Sequence, residues 1–291
     1  MAWQAMRSFT LASTSSAPGR RASPATARTL RRAAAAAAAL AVAAAIADLF
    51  VTSPALRWPV VWQYLFNPLI LSGVVTTVEL TAASQILAIA AGLVVALAGR
   101  SASPVVARSA RLYTWFFRAV PLLVQLLFWY NIAILVPVLQ IHAPVIGFKV
   151  PVNEVITGFT AAILGLGLHE SAFMAEIIRG GILSVPQQQI EAAMDLGLSR
   201  GMALRRVVLP QALRVIIPPT GNQFIGLLKA SALVSAIGGG DLLTRVQYLY
   251  GENFEVIPLL TVATIWYLFL VSVFSAAQHL LETRLGRWAP P

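Results

Sequence analysis

SVPQQQIEAAMDLGLSRGMALRRVVLP, residues 184–210, is the longest polar interruption in a chain that is otherwise mostly apolar. Within it Ile190, Ala193, Met194, Gly197 and Leu198 fall at i, i+3, i+4, i+7 and i+8, one apolar stripe of a helix. Gln189, Glu191, Ala192 and Asp195 take the other side. Ser184 followed by Gln187 has the spacing of a capping box, and Pro186 falls in a first turn, where proline is tolerated. Ser199 is placed to cap a second short helix over 200–208, which Pro210 would end. The segment reads as a short helix, a turn at Gly197–Gly201 and another short helix, not as a linker.

Working outward, the flanks are built for lipid. Of 291 residues, 58 % are hydrophobic and 11 % charged, against about a quarter charged in a soluble domain. Crossing a bilayer takes roughly 20 apolar residues as a helix, and six runs approach or exceed that: 33–51, 69–99, 112–139, 155–180, 212–238 and 257–281. This predicts an all-α integral membrane protein with six transmembrane helices. Residues 1–32 carry six arginines and no acid and are expected to be a disordered basic arm. The run 33–51 is longer than the apolar core of a usual signal peptide, so an uncleaved first span is favoured over a cleaved leader.

Charge placement orients the chain. The arm, the basic loop 100–111, the 179–214 region and the tail hold nearly all the arginine, while connections 52–68, 140–153 and 239–256 hold only Arg57, Lys149 and Arg245. With six spans these sets alternate, which puts both termini and the 184–210 block in the cytoplasm. The net charge of +10 therefore belongs to loops beside a membrane and gives no reason to expect nucleic acid. There is no cysteine, and His142, His169 and His279 have no metal-ligand spacing. The chain has no P-loop and no Gly-Lys pair; GGGD at 238–241 reads as a helix terminator. Serine-hydrolase and zinc-protease motifs are also missing, which argues against an enzyme.

The ordered block outside the membrane can lie on headgroups or dock on a partner. Headgroup helices carry Lys/Arg on the polar face, whereas this face is Gln and Glu, so a partner is favoured. Here the residues resemble a known family. Glu191-Ala192-Ala193, then Gly197, then Val207, Leu209 and Pro210 resemble the EAA loop of ATP-binding-cassette (ABC) importer permeases. FRAVPLLVQLLFWY (117–130), SAFMAEIIRGGILSVP (171–186), LPQALRVIIPPTGNQF (209–224) and LLKASALVSAIG (227–238) are similar to the membrane subunit of bacterial polar amino-acid uptake systems. Gln188, Val207 and Ala230-Ser231 depart from the usual pattern.

The resemblance implies a five-helix type I permease core over 69–281, with the 33–51 span as an extra. It also implies a coupling helix that docks on a separate ATPase through Glu191, Ala192, Ala193, Gly197, Leu209 and Pro210. ATP and Mg would be bound by that partner, with no cofactor on this chain. Further implied partners are an identical or sister permease, membrane lipid and an extracytoplasmic amino-acid-binding protein, in the bacterial cytoplasmic membrane. The alternative from another class is an ion-coupled secondary transporter, which would need no ATPase; it predicts interrupted helices repeated in two halves, and none is visible.

Polar groups inside the spans are candidates for a substrate path, since ionisable residues at membrane depth usually face a bundle interior or water. Glu79, Glu170, Glu176 and Lys229 are the charged ones. Glu176 can pair with Arg179 at i+3. Glu170, beside His169 and Ser171, can bind a cationic or zwitterionic amino acid or form an interhelical pair. Asn222 and Lys229 share one helix face across Gly226, and Arg118 and Gln125 would share a face of the third span; each pair could line the path or bond a neighbouring helix. Thr76 and Thr77 are weaker candidates, because hydroxyls in membrane helices commonly bond back to the preceding turn.

Overall fold

Two kinds of signal decide where these helices begin and break: proline, and small residues that let backbones approach. The computed structural model describes residues 24–142 and 147–286 and divides into two units at Pro54. The first unit holds α1 (Pro24–Thr52), alanine-rich and capped at its end by the Thr52 hydroxyl on Asp48 O (2.7 Å). It starts inside the expected disordered arm, not at Ala33; residues 1–23 lie outside the described residues.

The second unit opens with α2 (Trp58–Leu65) and α3 (Pro68–Ala98). Asn67 caps α3 by accepting Leu69 N–H at 2.8 Å, and Pro68 fills the first position. A helix break at Pro121 divides α4 (Pro104–Ala119) from α5 (Leu122–Tyr130), two helices bent by 102°. Proline pushes the residue before it out of the helical region, and Val120 is extended. The expected third span is therefore broken near its start, and the expected basic loop 100–111 is mostly the start of α4. After the short α6 (Ile132–Leu135), β1 (Val138–His142) pairs antiparallel with β2 (Gly147–Pro151), Gln140 opposite Lys149. This hairpin corrects the all-α expectation: alternating β-formers flanked by Pro137 and Pro151 leave the helix.

A short α7 (Val152–Val155) leads to α8 (Gly158–Leu183), which begins in a capping box between Thr157 and Thr160. Then follow α9 (Gln187–Asp195), α10 (Arg200–Ala203), α11 (Leu209–Ala230), α12 (Leu242–Asn253) and α13 (Val256–Gly286). Three helices, α3, α8 and α13, are long and apolar enough to cross a membrane, and two bent pairs, α4–α5 and α10 through α12, bring the spans to as many as five. The sixth expected span, over 33–51, is helical as part of α1 but is not among these five.

The α3–α8 contact is the spine of the second unit. Lipid gives no hydrophobic drive to helix association, so close backbone approach at small residues supplies it. A Cβ on Gly92 would stand 2.7 Å from Met174 Cβ and 2.9 Å from Ser171 O, and one on Gly167 2.7 Å from Leu87 Cδ2. These pairs, with Leu80 packed on Ala161 and Ala162, show the two helices running parallel. A second core joins α2, the start of α3, α12 and α13 through Val61, Leu65, Ile70, Leu242, Val246 and Leu259. Trp266 Nε1 donates to Leu65 O (2.8 Å), Asn253 to Tyr64 Oη (3.2 Å), and Arg57 pairs with Glu255, closing the end opposite the 184–210 block.

Candidate functional site

At the other end, α8 runs into the polar block. The expected capping box at Ser184 does not form: Ser184 Oγ donates back to Gly181 O (2.8 Å), because the residue continues the helical backbone. Pro186, with ψ 133°, starts α9 without a side-chain cap. The predicted stripe is inward. Ala193 is buried, Ile190, Met194 and Leu198 are half-buried, and Gln189, Glu191, Ala192 and Asp195 are exposed. Ile190 packs on a cluster of Val185, Val208 and Ala212, and Gln211 Nε2 donates to Gln189 Oε1 at 2.7 Å. These contacts fasten α9 to the start of α11.

Gly197 ends α9 in the left-handed region (φ 84°). Its N–H donates to Met194 O (2.9 Å) and Leu198 N–H to Ala193 O (3.1 Å), the two bonds of a Schellman motif. One orphan apolar side chain results: Leu196 is 82 % exposed at the tip. Ser199 then caps α10 as expected, accepting Met202 N–H at 3.4 Å.

Pro210 does not end the second helix. Residues 204–208 widen into a π turn, with Leu209 N–H on Leu204 O, and the chain enters α11 without a break. Pro210 has no N–H to give Arg206 O and its ring would crowd that carbonyl; the wider turn makes the room. Of the six expected coupling residues, Glu191, Ala192, Gly197, Leu209 and Pro210 are exposed and Ala193 is buried beneath them.

The polar residues within the spans separate into two groups. Gln125 Nε2 and Ser171 are engaged inside the chain, while Gln125 Oε1 has no partner. Gln125 Nε2 donates to Phe117 O (3.0 Å) and Val120 O (2.8 Å), carbonyls freed by the break at Pro121, and lies 3.0 Å from His169 Nδ1. Ser171 donates to Leu168 O (2.7 Å) and contacts Tyr113 Oη at 2.7 Å. The bend also removes the shared face expected for Gln125 and Arg118, whose guanidinium instead lies over the Phe173 ring at 5.2 Å. Glu176 pairs with Arg179 at 2.7 Å, as expected.

The second group is Glu170, Asn222, Lys229 and Thr76. Glu170 is buried, faces Gln223 of α11, and leaves Oε1 without a partner. Asn222 and Lys229 are exposed on α11, and a Cβ on Gly226 between them would meet nothing within 4 Å. Thr76 is half-buried on α3, where Glu79 one turn on is exposed. Sequence reasoning missed Tyr113, Gln223 and Leu196. The first two act through partners far along the chain, and Leu196 sits outside the apolar stripe. Among the described residues no group of three or more His, Cys, Asp or Glu could hold a metal.

Comparison with known proteins bears on this arrangement. Residues 88–287 match the family described as binding-protein-dependent transport system inner membrane component. The chain is 39 % identical over 233 residues to the arginine transport system permease protein ArgU of Corynebacterium glutamicum, covering 80 % of this chain and 73 % of that one. It is 33 % identical over 223 residues to the histidine/lysine/arginine/ornithine transport system permease protein HisQ of Salmonella typhimurium, covering 76 % and 95 %. A crystal structure of an amino acid ABC transporter with histidines superposes with a TM-score of 0.64 at 35 % identity, over 75 % of this chain and 95 % of that one. With a bundle of as many as five spans and an ordered polar helix pinned to its end, the chain belongs to the inner membrane component family of binding-protein-dependent transport systems, as the permease subunit of an ATP-driven amino-acid importer.

Proposed function

We propose that α9 is the coupling helix of this importer and seats in a groove of a separate ATPase chain, which binds ATP and Mg. The observation that carries the reading is the outward face of α9. Glu191 and Ala192 are exposed and Leu196 projects beyond them, while Ile190 and the Gln211–Gln189 hydrogen bond tie the helix to α11. A knob held out on a rigid Schellman turn suits a protein groove. Movement of the ATPase would reach the spans through α11, because the π turn leaves no hinge loop between block and helix.

The path would run along the exposed α11 face of Asn222, Gly226 and Lys229, covered in the assembly by an identical or sister permease. A lysine at membrane depth belongs against water or protein, not lipid. The alternation of basic segments puts the block and both termini in the cytoplasm, with 33–51 retained as an extra span ahead of the 69–281 permease domain. An extracytoplasmic binding protein would deliver substrate to the opposite end. Glu170, with a free carboxyl oxygen facing α11, favours a cationic or zwitterionic amino acid; the names of the two relatives, an arginine and a histidine/lysine/arginine/ornithine system, point the same way.

Two experiments test these points. Tagged permease purified from native membranes should retain an ATPase, and E191R with G197R should lose it. A lone chain that transports under an ion gradient without ATP would refute the coupling assignment. For the substrate, E170Q should weaken uptake of cationic amino acids; unchanged affinity would remove Glu170 from the path.

A further inference from the structure

On the side of the 184–210 block, α3, α4 and α8 enclose a polar cleft of about 380 Å³. Arg111 of α4 and Arg179 of α8 both line it, together with Glu176, Thr114 and the small residues Gly99 and Ala110. Gly99 and Ala110 leave the room: a Cβ on Gly99 would come no nearer than 3.4 Å to Val95 O and 3.9 Å to Ala110 Cβ.

Donors in this cleft outnumber its acceptors. Arg179 directs Nε (3.0 Å) and Nη2 (2.7 Å) to one oxygen of Glu176, Oε2, and its Nη1 has no partner among the described residues. Arg111 makes no hydrogen bond or ion pair with the described residues. The Thr114 hydroxyl donates to Ala110 O at 3.0 Å. Two guanidinium groups thus share the cleft with a single carboxylate, and no acid occurs between Glu79 and Glu154, so α4 and the second half of α3 supply none. The excess of positive charge calls for an anion, and guanidinium forks match phosphate oxygens in pairs.

Depth selects the source of that anion. Arg179 lies four residues before the end of α8 at Leu183, about 6 Å along the axis, and Gly99 caps the end of α3. The polar interface of a bilayer has a similar thickness, about 5–8 Å on each side of the hydrocarbon core. Beside Arg111 on α4, Leu112 is 62 % and Trp115 65 % exposed. They form a lipid-facing flank, with an indole of the kind that membrane proteins place near headgroups. An acyl chain lying along that flank would carry its phosphate into the cleft.

We propose that the cleft between α3, α4 and α8 binds the phosphate of an anionic phospholipid, through Arg111 and Arg179, in the leaflet next to the 184–210 block. Basic pockets between membrane helices take anionic headgroups for the same electrostatic reason. Glu176 is the competitor: it holds Arg179 when no lipid is bound. Its pair is open to solvent, with side chains 48 % and 39 % exposed, so a phosphate can displace it. The lipid would bridge α4 to the α3–α8 spine. This site involves neither the outward face of α9 nor the α11 path, and it stands whether or not those assignments hold.

The test uses the full chain, purified in mild detergent with the subunits it retains. It is titrated with dioleoyl phosphatidylglycerol or dioleoyl phosphatidylcholine, and bound lipid is counted by native mass spectrometry. Phosphatidylglycerol should bind more tightly than phosphatidylcholine, whose choline cancels the phosphate charge. R111Q should weaken phosphatidylglycerol about tenfold, the loss of one charge-assisted partner. R205Q removes an exposed arginine outside the cleft and should leave binding within about twofold. E176Q releases Arg179 and should tighten phosphatidylglycerol by about threefold or more, a gain that a merely structural Glu176 would not give. R111K should fall between wild type and R111Q; with E176Q it carries the test should R111Q fail to fold. Equal losses for R111Q and R205Q would overturn the site in favour of general attraction to surface charge. So would unchanged or weaker binding in E176Q. Retention of inorganic phosphate at millimolar concentration, with no preference between the two lipids, would overturn the lipid as its source.

Discussion

Adjacent glycines at the end of α8 provide a controlled perturbation. A Cβ on Gly180 would meet nothing within 4 Å, whereas one on Gly181 would stand 2.3 Å from Ile216 Cγ1, 2.8 Å from Ile216 Cδ1 and 3.2 Å from Ala212 O. Carbon atoms rest at about 3.5–4.0 Å, so G181A must displace Ile216 or move α11 by about 1 Å or more. Overpacking of this kind costs about 1–3 kcal/mol. For a domain of this size each kcal/mol shifts the melting temperature by about 2–4 °C. Isolated permease in detergent should therefore melt about 2–12 °C lower for G181A. G180A should melt at or slightly above wild type, since alanine gains up to about 1 kcal/mol of helix propensity. I216A in the G181A background should recover part of the loss, as two changes in one contact are not additive. Ile216 also packs on the cluster that seats α9, so G181A should reduce uptake per folded molecule. Melting of G181A and G180A within about 1 °C of each other would refute this account of the α8–α11 contact.

Other substitutions probe separate parts of the same chain. Q125L strands the carbonyls of Phe117 and Val120 and should cost about 1–3 kcal/mol, read as a lower melting temperature, with no such effect for a leucine at the exposed Asn131. T77V removes the acceptor of Leu242 N–H and should destabilise by about 1–2 kcal/mol. E176Q breaks a pair whose side chains are 48 % and 39 % exposed, worth about 0–1 kcal/mol, and should leave the melting curve nearly unmoved. G197A forces a left-handed backbone onto alanine at about 1–2 kcal/mol and should weaken ATPase retention in a pull-down more than it lowers stability.

Much of the 184–210 block is readable because its signals are local. The stripe of Ile190, Ala193, Met194 and Leu198 depends only on helical period, and Gly197 and Ser199 act within a few residues of themselves. The errors have one source too. The same local rules make Ser184 a cap and Pro210 a terminator, but the chain on either side stays helical because α8 and α11 are packed elsewhere along their length. Pro121 was placed near a span's start, and the severity of its bend depended on Gln125 and His169 being present to take up the freed carbonyls.

By itself the sequence determined membrane class, the positions of most apolar spans, the ordered block between them and, through the 117–238 motifs, the family. These follow from hydropathy, helical period and charge, which need no knowledge of neighbours. Only the tertiary structure decided which polar groups in the spans are free. Gln125, Ser171 and Thr77 look as available in sequence as Glu170. Gln125 Nε2 and the hydroxyls of Ser171 and Thr77 are engaged by partners on other segments, and Glu170 Oε1 is not. Satisfaction of a buried donor or acceptor is a property of a pair of groups, and pairing across helices is set where backbones meet at glycines such as Gly73 and Gly92.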